Sequence, residues 1–123
     1  MVTFLDTYAI MEIYKGNPNF SRFQIDPASA VTTYLNLMEA YFVCLKDFGE
    51  EEAEKIYAAV MPIAISIEAA AIIKSSMKFK LKNQKSRMSF VDCIGYTYAR
   101  ALNTSFLTGD YAFKGMEGVE FVR

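Results

Sequence analysis

Short apolar segments alternate with longer segments of helical period along this chain, and this alternation limits its fold more than any other feature. Strands are predicted at Val2–Leu5, Ala30–Thr33, Met61–Ile65, Ser105–Thr108 and Val119–Val122. Helices are predicted at Thr7–Lys15, Phe20–Phe23, Tyr34–Phe48, Glu50–Val60, Ala69–Phe79 (or on to Leu81) and Phe90–Leu102. Since parallel strands are joined by helical crossovers, the order predicts an α/β fold: a three-layer α/β/α sandwich with a central, mostly parallel sheet.

Local signals mark several of these helices. The segment Tyr34–Phe48 is followed by Gly49, a residue typical of helix C-caps. Ser89 precedes Asp92 by three residues, close to the spacing of a capping box. The helical period of Tyr34–Phe48 is indicated by an apolar stripe at Leu35, Met38, Phe42 and Leu45.

Bulk composition predicts one folded domain over residues 1–123. The chain is 53% hydrophobic and 15% aromatic, which argues against disorder. It has no histidine, and Cys44 and Cys93 stand alone, which argues against a structural zinc site. Both cysteines suit small core positions, although a disulfide between them stays open.

Neither a signal peptide nor a membrane span is expected. Asp6 interrupts the first apolar run, and no basic segment precedes it. Pro62, Ser66 and Glu68 interrupt the apolar stretch of residues 56–73. The sequence therefore predicts a cytoplasmic protein.

Four acidic residues stand where strands end or helices begin. Asp6 and Asp110 follow two predicted strands, and an open parallel sheet binds ligands at that edge. Glu39 lies in the second turn of a helix and Asp92 in the first turn of another. In a chain without histidine, such carboxylates point to Mg²⁺ or Mn²⁺, held as one ion or two.

Each acid also has a purely structural explanation. Asp6 and Asp110 could cap the elements that follow them, and Asp92 could be a favourable charge at a helix N-terminus. Glu39 could be a surface residue, although its apolar neighbours Met38 and Ala40 favour an inward position.

Charge is distributed unevenly along the chain. The net charge is −1, but residues 69–91 contain six cations and no acid, so the remainder has a net charge of −7. This segment predicts a surface for an anionic partner, with a solvated helix face as the alternative. Its cations are Lys74, Lys78, Lys80, Lys82, Lys85 and Arg87.

The four acids lie in segments that resemble the motifs of PIN-domain ribonucleases, and within that family the toxins of VapBC-type toxin–antitoxin pairs. The resemblance covers nearly the whole chain, and the motifs follow one another in the same order as in the family. Tyr8 departs from the pattern, since family members often have Asn or Ser there, and the fourth segment lacks a second obvious acid. The matching segments are Phe4–Tyr8, Thr32–Glu39, Ser89–Ala99 and Phe106–Phe113.

This resemblance implies a Mg²⁺- or Mn²⁺-dependent endoribonuclease that cleaves RNA phosphodiester bonds through an activated water. The implied metal ligands and catalytic residues are Asp6, Glu39, Asp92 and Asp110, with Thr7 and Thr108 as outer-shell hydroxyls. The implied partners are an RNA substrate, an antitoxin protein and a second copy of the chain in a homodimer, and the six cations of residues 69–91 become the candidate RNA-binding residues. Two alternatives stay open: a PIN-domain nuclease of RNA processing without an antitoxin, and a non-catalytic α/β binding module.

Overall fold

The computed structural model describes residues 2–123 and has a five-stranded sheet at its centre. Its strands lie in the order β3-β2-β1-β4-β5, and all four pairings between neighbours are parallel. The central strand β1 pairs on both sides, with Phe4 opposite Val31 and Phe106. The strands are β1 Thr3–Leu5, β2 Ala30–Thr33, β3 Ala64–Ile65, β4 Ser105–Thr108 and β5 Val119–Phe121.

Helices cover both faces of this sheet, so the predicted three-layer α/β/α sandwich is confirmed. The helices are α1 Thr7–Tyr14, α2 Tyr34–Phe48, α3 Glu50–Val60, α4 Ala70–Lys82 and α5 Phe90–Ala101. Short 3₁₀ turns at Pro18–Phe20, Met61–Ile63, Gln84–Ser86 and Tyr111–Phe113 connect them. Among residues 2–123, no helix combines the length and the apolar character needed to cross a bilayer.

The core has two parts because successive strand residues face opposite sides of the sheet. Leu5 and Leu107 pack with α1, α2 and α3 on one face. Phe4 and Phe106 pack with α5 on the other, and their rings stack with centroids 5.6 Å apart. Cys44 is buried in the first part and Cys93 in the second, both as free thiols. The prediction of core cysteines is thus confirmed.

The predictions for one strand and one helix were wrong. The third strand covers Ala64–Ile65 rather than Met61–Ile65, because Met61–Ile63 forms a 3₁₀ turn. Pro62 in that turn has no N–H to donate to a strand ladder. The helix predicted at Phe20–Phe23 is absent there; a single 3₁₀ turn at Pro18–Phe20 takes its place.

Helix α2 has the predicted bounds, but its apolar stripe faces outward. Met38, Phe42 and Leu45 are exposed, and Leu35 is half-buried. The face that enters the core is built instead from Asn36, Leu37, Ala40 and Cys44. Small side chains at Ala40 and Cys44 allow α3 to pack closely against this face.

The predicted helix ends are confirmed. Gly49 terminates α2 at a φ of 94°, a conformation that strongly favours glycine. Ser89 caps α5 in a full capping box: its side chain accepts a hydrogen bond from the Asp92 N–H, and the Asp92 side chain accepts one from the Ser89 N–H. The start of α5, and with it Asp92, is therefore fixed in place.

Candidate active site

The carboxyl ends of β1 and β4 and the first turn of α5 meet at one edge of the sheet. A cleft of about 300 Å³ opens there, and three of the four predicted acids line it. Glu39 lies beside this group and outside the cleft wall. The lining residues are Asp6, Tyr8, Asp92, Gly109, Asp110, Tyr111 and Arg123.

Asp6 is the most deeply placed of the acids, with only 3% of its surface exposed. It follows β1 directly and caps α1, since its Oδ1 accepts a hydrogen bond from the Ala9 N–H at 2.8 Å. The pKa of Asp6 is raised to about 7. Burial is the main cause, and the nearby charges of Asp92 and Asp110 add to it. Hydrogen bonds from Thr108 and Ala9 oppose this rise.

Asp110 reaches the cleft from the end of β4. Its N–H donates to the buried Thr108 hydroxyl oxygen at 3.0 Å, and its Oδ1 accepts from the Ala112 N–H at 2.9 Å. The Thr108 hydroxyl also lies close enough to Asp6 to lower the pKa of that carboxyl. The outer-shell position predicted for Thr108 agrees with these contacts and stays a prediction.

Asp92 is brought to the cleft by the close approach of α5 to the sheet. Gly95 allows this approach, because a Cβ there would lie 3.1 Å from the Phe4 ring. Burial raises the pKa of Asp92, as does the charge of Asp110, while the Ser89 hydrogen bonds and the charge of Lys80 lower it.

Glu39 is held beside the cleft by a chain of hydrogen bonds. The Thr7 hydroxyl donates to Glu39 Oε1 at 2.6 Å and accepts from Asn36 Nδ2 at 3.1 Å. The Thr33 hydroxyl in turn donates to Asn36 Oδ1 at 2.7 Å. Burial raises the pKa of Glu39, the Thr7 hydrogen bond lowers it, and the charge of Asp92 raises it. Thr7 thus orients the carboxylate, as an outer-shell residue would.

Three of the acids do have a structural role at the start of a helix or turn. Asp6, Asp92 and Asp110 each accept a hydrogen bond from a backbone N–H there. Each of these bonds occupies one carboxylate oxygen and leaves the other. A carboxylate offers about four lone-pair directions, so a cap is still able to ligate a metal. Over residues 2–123, no three acidic or cysteine side chains are gathered round one point closely enough to hold an ion as they stand.

The donors fit a hard divalent cation by their chemistry. They are all carboxylate or hydroxyl oxygens, the type that Mg²⁺ and Mn²⁺ prefer, and the chain has no histidine. Both cysteines are buried in the core, and neither lines the cleft. Three like charges also raise the free energy of the ion-free cleft, and a cation would relieve this repulsion.

The basic segment lies on α4 and the connection that follows it. Lys80 is the member nearest the acids: its Nζ donates to the Met88 carbonyl at 2.6 Å, and its charge lowers the Asp92 pKa. Lys80 is half-buried and packs 4.8 Å from the Phe90 ring. The exposed members are Lys74, Lys78, Lys82, Lys85 and Arg87.

Several site residues were not predicted from the sequence. Asn36 had a usable signal, because it precedes Glu39 by three residues and so shares its helix face. Tyr111 also had one, because it directly follows Asp110. Arg123 had none, since only the packing of β5 beside β4 brings residue 123 to the cleft. Gly109 is required there because a Cβ would lie 2.2 Å from the Tyr8 ring.

A sequence model of the PIN domain family matches residues 3–119, so the chain belongs to the PIN domain family. No curated protein matches the sequence significantly.

Solved structures share this fold at low sequence identity. VapC20 from Mycobacterium tuberculosis, a toxin that cleaves the sarcin–ricin loop, has a TM-score of 0.75 at 15% identity, covering 92% of this chain and 95% of its own. VapBC2 from Rickettsia felis, bound to a promoter DNA fragment, has a TM-score of 0.75 at 14% identity over 100% of both chains. A toxin–antitoxin complex from Klebsiella pneumoniae has a TM-score of 0.72 at 18% identity, covering 96% of this chain and 95% of its own.

Proposed function

We propose that this protein is a Mg²⁺- or Mn²⁺-dependent endoribonuclease and the toxin of a toxin–antitoxin pair. One observation supports the nuclease above all: three aspartates far apart in the sequence line one cleft, with a hydrogen-bonded glutamate beside it. The family and the similar toxin structures agree with this chemistry. Residues 1–123 form one PIN domain under this proposal.

We assign different roles in the reaction to the side chains in and beside the cleft. Asp6, Asp92 and Asp110 would hold the cation through the oxygens that their capping bonds leave, and Glu39 would join them directly or through a water. When bound, the cation supplies Lewis-acid polarisation of the scissile phosphate and a water of lowered pKa. Glu39, fixed by Thr7 and with its pKa raised, would accept a proton from the attacking water. Thr108 would help to position Asp110, whose N–H it accepts, and lies beside Asp6.

The lysines of the basic segment would offset repulsion between RNA and this acidic cleft. Lys80 already lowers the pKa of Asp92, so the cations begin next to the acids. The exposed lysines extend the positive surface along α4. Phosphate contacts of this kind supply most of the sequence-independent affinity for RNA.

An antitoxin and a second copy of the chain are the proposed protein partners. The similar structures include toxin–antitoxin complexes, at identities that establish only a common fold. Apolar side chains are exposed on α2 and α3, among them Met38, Phe42 and Tyr57, and a partner would cover such side chains.

The direct test is cleavage of a structured RNA pool by the wild type and by Asp92→Asn, with Mg²⁺, Mn²⁺ or EDTA. Asparagine keeps a side-chain oxygen that can accept the hydrogen bond from the Ser89 N–H. The variant should therefore fold while losing the negative charge of the carboxylate. We expect metal-dependent cleavage by the wild type and a loss of about 10³-fold in the variant.

Asp26→Asn is the matched control. Asp26 also accepts a backbone hydrogen bond, from Ala28 at 3.1 Å, but does not line the cleft. Full activity in Asp26→Asn together with loss in Asp92→Asn would support the nuclease. A folded wild type that neither cuts RNA nor gains stability from metal would favour the non-catalytic module, in which the acids serve only as caps.

The toxin role has a separate readout in living cells. Induced expression of the wild type in a bacterial host should arrest growth, and Asp92→Asn should not. Cleavage in vitro without growth arrest would favour a nuclease of RNA processing.

A further inference from the structure

We propose that Arg123 binds a phosphate of the RNA substrate at the mouth of the acid cleft, with the rings of Tyr8 and Tyr111 holding its guanidinium in place. This inference rests on the nuclease function proposed above and assigns a substrate contact to a residue outside the acidic set.

Both the backbone and the side chain of Arg123 are held in place by contacts. Its carbonyl accepts a hydrogen bond from Asn19 Nδ2 at 2.8 Å, and the pairing of β5 with β4 sets the position of the segment before it. Its guanidinium carbon lies 4.4 Å from the centroid of the Tyr111 ring and 5.4 Å from that of Tyr8. Such contacts hold an arginine by its flat face.

Contact with the two tyrosines leaves part of the hydrogen-bonding capacity of the guanidinium available. The group has five N–H donors, and the hydroxyls of Tyr8 and Tyr111 engage only some of them. Arg123 lines the same cleft as Asp6, Asp92 and Asp110, yet within residues 2–123 it forms no ion pair with any carboxylate. Its charge therefore remains available to an incoming anion, and the guanidinium fork matches phosphate oxygens.

The ring of Tyr8 depends on an adjacent glycine. A side chain at position 109 would place its Cβ 2.2 Å from Tyr8 Cε1 and 2.6 Å from the Val122 carbonyl oxygen. Gly109 thus permits the ring to lie across the end of β4, where it meets Arg123. Tyr111 is 63% exposed, so its ring is not a core residue and is free to serve this contact.

At its position, the positive charge of Arg123 would reduce the repulsion between RNA phosphates and the acids of the cleft. RNA must bring phosphates to a cleft with three carboxylates, and a single cation at the rim lowers that repulsion without neutralising the acids themselves. The lysines of α4 act along the approach, whereas Arg123 lies at the cleft itself. It should therefore contact a phosphate next to the scissile one.

The test is binding of a 5′-fluorescein-labelled single-stranded RNA pool, followed by anisotropy in EDTA and over a range of KCl concentrations. All proteins contain Asp92→Asn, so that no cleavage occurs. Adding Arg123→Ala should weaken binding about tenfold and reduce the slope of log Kd against log salt by about 0.7, the value for one phosphate contact on a single strand. Arg123→Lys should restore the slope but only part of the affinity.

Arg22→Ala is the matched control, since Arg22 also lies 4.5 Å from an aromatic centroid, that of Phe23, and pairs with Glu120 away from the cleft. It should change Kd less than twofold. Equal effects of Arg123→Ala and Arg22→Ala would overturn the phosphate contact. Wild-type cleavage with Mn²⁺ is measured in parallel, so that the two failures are distinguished. If the Arg123 effect is missing and the wild type cleaves RNA, only the role of Arg123 fails. If the wild type neither cleaves RNA nor gains stability from Mn²⁺, the nuclease proposal fails with it.

Discussion

At the scale of single residues, Asp6 shows how a strand end creates a buried carboxylate with a raised pKa. The strand ladder fixes its backbone, since its N–H donates to the Leu107 carbonyl at 3.3 Å, and the capping bond fixes its side chain. Burial next to two further aspartates then makes ionisation costly, which raises its pKa to about 7. A cation bound at the cleft would reverse this cost.

We predict that Asp6→Asn stabilises the ion-free protein at high pH. The carboxyl has an ordinary pKa of 3.8 and a folded pKa of about 7, so the folded state binds the proton more tightly. Stability from this group therefore falls as pH rises through that window, and the full cost is present above it. Asparagine never ionises and keeps the cap to Ala9.

In EDTA, the melting temperature of Asp6→Asn should exceed that of the wild type by roughly 5 °C at about pH 8, with the difference closing toward about pH 4.5. Differential scanning fluorimetry across pH measures this. A variant that melts lower than the wild type at both pH values would show that the Asp6 charge does not oppose folding.

At the scale of elements, helix α2 shows that periodicity locates a helix without choosing its buried face. Two apolar rows run along it, and only one enters the core. Leu37 is 3% exposed and Phe42 is 61% exposed. The inward row is the one with small residues, because α3 packs against it through Ala53, Ile56 and Val60.

We predict that Leu37→Ala and Phe42→Ala differ sharply in their effect on folding. Leu37→Ala should lower the free energy of unfolding by about 3 kcal/mol, because it leaves a cavity in the core. Phe42→Ala, although it removes a larger side chain, should change it by less than about 0.5 kcal/mol. Urea titrations of dilute protein followed by circular dichroism measure both, and similar losses would contradict the assigned face.

At the scale of the whole molecule, the site exists only when the sheet is complete. Asp6 and Asp110 come from parallel neighbours β1 and β4, and Asp92 reaches them on a helix packed against those strands. Unfolding separates these acids, so a cation that they shared would bind the folded state alone and stabilise it.

We predict that Mn²⁺ at about 100 times its Kd raises the melting temperature by roughly 5–10 °C, equivalent to about 3 kcal/mol, and that EDTA reverses the shift. Asp92→Asn should lose most of this shift, whereas Asp26→Asn should keep it. An equal shift in both variants would place the ion elsewhere on the protein.

The sequence by itself determined the α/β/α class, the bounds of α2 and α3, the capping box of α5 and the four acids. These features are local or depend on order along the chain: strand-end acids meet because parallel strands share an edge, and Ser89 reaches Asp92 within one helical turn. Only the tertiary structure decided which row of α2 is buried, that Asn36 and Thr7 hold Glu39, and that Tyr8, Tyr111 and Arg123 meet at the cleft. Those outcomes depend on packing between segments that lie far apart in the sequence, as Tyr8 and Arg123 do, and no local pattern encodes which surfaces will touch.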